Sequence, residues 1–168
     1  MKKIKFSLAL IIFLTSLLFW VACGDKEVVE IASTTEYLIV GTYYGFCIGD
    51  CVNLFQIVDN QVFGDAVNDN VIPENVPFKN DALGGDSYEL AKVLVTGFPD
   101  ELGLVEADSQ GRNVLGCPDC ADQGGFYLEL KKVDEETAQK WYVDTNEKDL
   151  PDYLVDYVRQ IRSVMEAL

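Results

Sequence analysis

The sequence predicts an α+β domain: a mainly antiparallel sheet with one internal helix and a C-terminal helix packed on one face. Three observations carry this. Runs rich in β-branched and aromatic residues recur at 36–46, Val52–Val58 and 126–132, bounded by Gly, Asn and Asp. Two other segments, 86–97 and 151–168, instead place apolar residues every three or four positions. The strands come in runs interrupted by helices, and no repeat longer than a hairpin is present.

The first strand runs through Tyr37, Ile39, Val40, Thr42, Tyr43 and Tyr44, with Gly41 and Gly45 suggesting a bulge or a close backbone approach. In Val52–Val58, Asn53, Phe55 and Ile57 oppose Val52, Leu54, Gln56 and Val58. Asp59-Asn60 then turns the chain into Gln61-Val62-Phe63 as a hairpin partner. Residues 64–85 hold Pro73, Pro77 and many Asn and Asp, and read as a long loop with one short extended piece at Val71-Ile72. Asp86-Ser87-Tyr88-Glu89 has the form of a capping box, Leu90, Val93 and Leu94 continue at helical spacing, and Gly97 is placed to end the helix, though Val93 and Val95 also allow a strand. Pro99 suits the start of a second short helical turn. Further on, Phe126, Leu128 and Leu130 alternate with Tyr127, Glu129 and Lys131, the period of a strand buried on one face. The chain turns at Asp134-Glu135-Glu136 and returns through Trp141, Tyr142 and Val143. The last helix carries Leu150, Leu154, Tyr157, Val158, Ile161, Met165 and Leu168 on one stripe, with Pro151 and Asp152 in its first turn.

The N-terminal segment differs from everything after it. Lys2, Lys3 and Lys5 precede an apolar run, 6–21, that ends at Ala22-Cys23-Gly24. This resembles the leader of bacterial lipoproteins, in which a small residue precedes the cysteine that is lipidated and becomes the mature N-terminus; Trp20 stands where Leu is usual. The resemblance implies a signal peptide at 1–22, a lipidated Cys23 with a polar tether over 23–35, and one folded domain at 36–168. It also implies a cell-envelope protein anchored in membrane lipid, with the outer membrane as the expected destination. The Cys47-Ile48-Gly49-Asp50-Cys51 motif closing the first strand is similar to one in small domains of secreted bacterial lipoproteins with no established activity. That likeness implies the fold and no mechanism.

Charge and composition exclude several classes. Of 13 basic residues, Lys2, Lys3 and Lys5 belong to the leader, so 10 remain against 28 acidic ones, a net of −18. Such a surface repels nucleic-acid phosphates, and no nucleic-acid partner is expected. There is no histidine, which removes Ser-His-Asp and Cys-His nucleophiles and every imidazole metal ligand.

The chemistry-bearing residues are therefore cysteines. An exported Cys47, Cys51, Cys117 and Cys120 meet an oxidising compartment, so disulfides are expected, in any of three pairings. The runner-up is a four-thiolate zinc site, since Cys117-Pro118-Asp119-Cys120 resembles a zinc-knuckle turn. A dithiol redox centre comes third. Glycines flank both pairs, so the two are expected to meet at one edge of the sheet. No catalytic residue stands out. Asp59, Asn60, Asp65, Asn68, Asp69 and Asn70 have calcium-ligand chemistry without EF-hand spacing. Tyr37, Tyr43, Tyr44, Tyr127, Trp141 and Tyr142 could make a glycan or peptide platform, though alternation favours core packing. The function these features suggest is a non-enzymatic binding or structural module with an envelope protein partner; the alternative is a carboxylate-based hydrolase or a thiol oxidoreductase.

Overall fold

The computed structural model describes residues 34–67 and 71–168. The leader, Cys23, most of the tether and Asn68 to Asn70 lie outside them. Among the described residues, six strands form one sheet and two α-helices cover one of its faces. The strands are β1 (Thr35–Tyr43), β2 (Val52–Val58), β3 (Gln61–Gly64), β4 (Asn113–Leu115), β5 (Gly125–Lys132) and β6 (Gln139–Asp144), in the spatial order β3-β2-β1-β5-β6-β4. The helices are α1 (Ser87–Thr96) and α2 (Asp152–Ala167). Every pairing is antiparallel except β4 with β6.

Local sequence chemistry accounts for most boundaries. Asp59 and Asn60 both adopt positive φ, 50° and 59°, as a two-residue hairpin turn requires, so β3 pairs with β2 as expected. The irregularity in β1 sits between Thr35 and Tyr37, not at a glycine. Gly41 instead permits close approach: a Cβ there would lie 2.0 Å from the Asn53 carbonyl oxygen. Pro99 precedes a 3₁₀ turn, Asp100–Leu104, and Pro151 precedes α2. The capping box does not form. Asp86 makes no side-chain cap, Glu89 pairs with Lys92, and the Ser87 hydroxyl donates to the Leu83 carbonyl at 3.1 Å.

The helix-facing layer is the larger core. Leu38 and Val40 of β1, Leu128 and Leu130 of β5, and Trp141 and Val143 of β6 meet Leu94 of α1 and Leu154, Val158 and Ile161 of α2. Two buried polar handles lock this layer. Trp141 donates its indole N–H to the Leu102 carbonyl at 2.9 Å, and Tyr157 donates its hydroxyl to the Leu94 carbonyl at 2.9 Å. Phe98 stacks against both rings, 5.5 and 5.6 Å between centroids.

The opposite face corrects one expectation. β5 is buried on both sides, because residues of the long loop, Val67, Ile72, Val76 and Phe78, pack over Ile39, Val52, Leu54 and Tyr127. The loop is anchored by Asp65, whose carboxylate accepts the Leu54 N–H at 2.6 Å and the Val67 N–H at 2.9 Å. Its isolated bridge is Asp65 with Phe78, and Val71-Ile72 forms no strand. Under this cover Glu129 is 6 % exposed. It accepts hydrogen bonds from the Tyr37 hydroxyl at 2.8 Å and from the Tyr127 hydroxyl, with Lys140 Nζ 3.5 Å away. A buried carboxylate requires partners of this kind. β4 was not expected: three residues with no alternation, stabilised by a parallel neighbour distant in sequence.

Two expectations follow. Leu154, Tyr157, Val158, Ile161 and Val164 of α2 are buried. At about 1.5–3 kcal/mol each, their burial contributes roughly 8–15 kcal/mol. That matches the whole stability of an ordinary domain, about 5–15 kcal/mol. Deleting residues 150–168 should leave no cooperative thermal transition. A truncated chain melting like the full one would contradict this packing. The second expectation concerns alkali. Burial first, then the hydrogen bond to Glu129, raises the phenol pKa of Tyr37 and of Tyr127 above the ordinary value of 10.0. The neutral phenols thus contribute stability that is complete below pH 10 and lost as pH rises above it, where only the unfolded chain ionises them. Their phenolate absorbance should rise together with loss of circular dichroism. Phenolate signal appearing before unfolding would count against the network.

Candidate functional site

The features that stand apart from the core collect at one end of the sheet. In the β1–β5 pairing Tyr43 lies opposite Gly125, so the chain leaving β1 and the chain entering β5 share an edge. Each of these segments carries a cysteine pair, and each pair is bridged within itself. Cys47 bonds Cys51 with Cα atoms 5.8 Å apart, and Cys117 bonds Cys120 at 5.5 Å. Both separations are ordinary for disulfides.

The two bridged loops are in contact. A Cβ on Gly45 would lie 1.8 Å from Asp119 Oδ2, so the first loop runs directly against the second loop's carboxylate. Gly124 has φ of 73° and packs on the Tyr43 carbonyl and the Tyr44 ring, a position closed to a side chain both by conformation and by space. The second loop is closed by exchange between Asp119 and Gly124: the Asp119 N–H donates to the Gly124 carbonyl at 3.0 Å, and the Gly124 N–H to Asp119 Oδ1 at 3.1 Å. Gln123 spans it, donating to the Cys117 carbonyl and accepting from the Ala121 N–H. The loop is fastened to β6 by Asp144, which is 1 % exposed and accepts the Cys117 N–H at 2.7 Å and the Asn146 N–H at 2.8 Å. Tyr43 stacks edge-on against Tyr142 at 5.8 Å. Its phenol pKa is raised well above the tyrosine norm, by burial first and then by the Asp119 carboxylate.

This end exposes three large apolar side chains close together in sequence, whereas Val71, Leu104 and Val133 are exposed singly elsewhere. Phe46 is 78 % exposed, Ile48 is fully exposed and Tyr44 is 41 % exposed, all beside or inside the Cys47–Cys51 bridge. Next to them lies a cavity of about 440 Å³. It is lined by Thr42, Tyr44, Gln123, Phe126 and Thr145 and by Arg162, Met165 and Glu166 of α2. Arg162 is already engaged. It donates to Glu147 at 2.7 Å and to the Thr145 carbonyl at 2.5 Å, and it lies 5.4 Å over the Phe126 ring.

The other sequence candidates lie elsewhere. Trp141 faces the helices, whereas Tyr37, Tyr43, Tyr127 and Tyr142 gather on the loop-covered face, where Tyr142 meets both Tyr43 and Tyr127 edge-on, so these aromatics pack as core and cross-strand pairs. Asp59 and Asn60 make the hairpin turn, Asp65 holds the long loop, and Asn68, Asp69 and Asn70 lie outside the described residues. Disulfide sulfurs are not thiolate ligands, and among the described residues no group of three or more His, Cys, Asp or Glu is placed to hold a metal. Sequence reasoning overlooked Phe46 and Ile48. Their signal was apolar residues inside a Gly- and Asp-rich turn, where nothing local could bury them. Comparison of the chain with protein-family models, curated proteins and solved structures finds no match.

Non-reducing peptide mapping should recover each bridge within its own segment; a cross-link between 47/51 and 117/120 would contradict this pairing. Asp144→Ala should lower stability by about 1–3 kcal/mol, because it leaves buried N–H donors without acceptors. Thermal denaturation beside Asp144→Asn, which keeps one acceptor oxygen, is the check. Equal melting of all three proteins would remove the carboxylate's role.

Proposed function

We propose that the chain is a lipid-anchored protein of the cell envelope, a non-enzymatic binding module that presents its doubly bridged loop end to a partner. The observation carrying this reading is the position of that end. The tether enters β1 at Thr35 and the bridged loops leave it at Tyr43, eight residue steps along an extended strand. At about 3.3 Å per step the two ends are roughly 26 Å apart. The tether from Cys23 joins the domain at the Thr35 end of β1, and Phe46 and Ile48 follow its other end. Two disulfides in one small domain support an oxidising compartment, in line with the charged leader and Ala22-Cys23.

A thiol-exchange reading is favoured by one observation, the exposure of Cys117 and Cys120 in a Cys-x-x-Cys turn. The loop's own charges oppose it. Asp119 and Asp122 disfavour a thiolate, and no basic residue within 116–125 offsets them. A structural bridge is the better fit to that environment.

Labelled palmitate should be incorporated into the protein and lost in Cys23→Ala, with the variant released from the membrane fraction. A wild-type chain that carries no lipid would end the anchored reading.

A further inference from the structure

Granting the binding-module reading, we infer that the bridged-loop end docks a protein partner whose contact surface is basic around an apolar depression. Phe46 and Ile48 are the inserting side chains, and a Lys or Arg of the partner enters the cavity between Tyr44 and Glu166.

Burial and charge both point this way. Ile48 lies inside the Cys47–Cys51 ring and Phe46 directly precedes it, so the backbone carrying these exposed side chains is constrained and loses little entropy when they are covered. The surround is acidic: Asp50 follows Ile48, and Asp119 and Asp122 belong to the adjoining loop. Neither 45–51 nor 116–125 contains a Lys or Arg. Within the cavity Arg162 is held by Glu147, which also pairs with Arg159, and by the Thr145 carbonyl, whereas Glu166 makes no ion pair among the described residues. A cavity lined by an aromatic ring and by a carboxylate without an ion pair is suited to an ammonium or guanidinium group.

The same facts weigh against the other occupants. A second copy would bring the same acidic end against itself, at a net charge of −18 per mature chain. Anionic lipid headgroups would repel these carboxylates. A basic protein surface satisfies both the apolar and the electrostatic requirement.

The test uses the full lipidated chain in phosphatidylcholine nanodiscs, with empty discs as the blank. The probes are three fluorescent peptides of equal length and equal Leu/Phe content, carrying lysine, glutamate or serine at the remaining positions. The lysine peptide should bind about ten-fold more tightly than the glutamate peptide, and that preference should shrink as salt screens the charges. Replacing Phe46 and Ile48 together by Ser should weaken it about ten-fold without shifting the melting temperature, since both side chains are exposed. Glu166→Gln should weaken only the lysine peptide. Equal binding of the three peptides, or no effect of the double substitution, overturns the proposal. So does a blue shift of Phe46→Trp emission on phosphatidylcholine vesicles alone, or a concentration-dependent dimer abolished by the double substitution. Failure of the chain to enter nanodiscs would instead strike the anchored reading, and the peptide measurements would still judge the loop end.

Discussion

The antiparallel pairing of β1 with β5 is the constraint on which the rest of the domain depends. Both strands lie at the centre of the sheet and both are buried on two faces, so each face is covered. The helices supply one cover, through stripes whose period matches the α-helix. The other is an irregular segment, tied down by Asp65 and contributing Val67, Ile72, Val76 and Phe78. A carboxylate enclosed beneath such a cover is stable only when its partners are enclosed with it. Glu129 meets that condition through Tyr37, Tyr127 and Lys140.

The same pairing creates the candidate site. Tyr43 opposite Gly125 brings the exit of β1 beside the entrance of β5, and Gly125 opposite Asp144 adds the end of β6. Three chain segments converge there by strand register alone. The register also separates the site from the start of β1, because Thr35 pairs with Lys132 at the other end of the same strands.

Given that convergence, cross-bridging of the loops is not needed to hold them together. Each local bridge closes a ring of four or five residues and stabilises by about 2 kcal/mol in the loop-closure model, where a bridge across some 70 residues would give about 4 kcal/mol. The local pairing gives up part of that stabilisation and stiffens each loop separately. Stiffness is the more useful property in a loop that carries Phe46 and Ile48 into solvent, where flexible apolar side chains would collapse onto the nearest surface.

Much of this was determined by the sequence itself. The α+β class, the Asp59-Asn60 hairpin, both helices and the β5–β6 hairpin follow from period, turn chemistry and proline placement, which act over a few residues. The acidic balance and the absence of histidine are likewise properties of composition. Tertiary structure decided what depends on distant neighbours. β4 exists because β6 offers a parallel edge, and Glu129 is buried because a loop some 60 residues earlier folds over it. Asp86 caps nothing, and Asp144 fastens a loop 27 residues upstream in its place. Pairing among four cysteines is a matter of three-dimensional proximity within the two loops, which spacing alone left open. The exposure of Phe46 and Ile48 was decided the same way, since an apolar residue declares itself uncovered only once every other surface has found its cover.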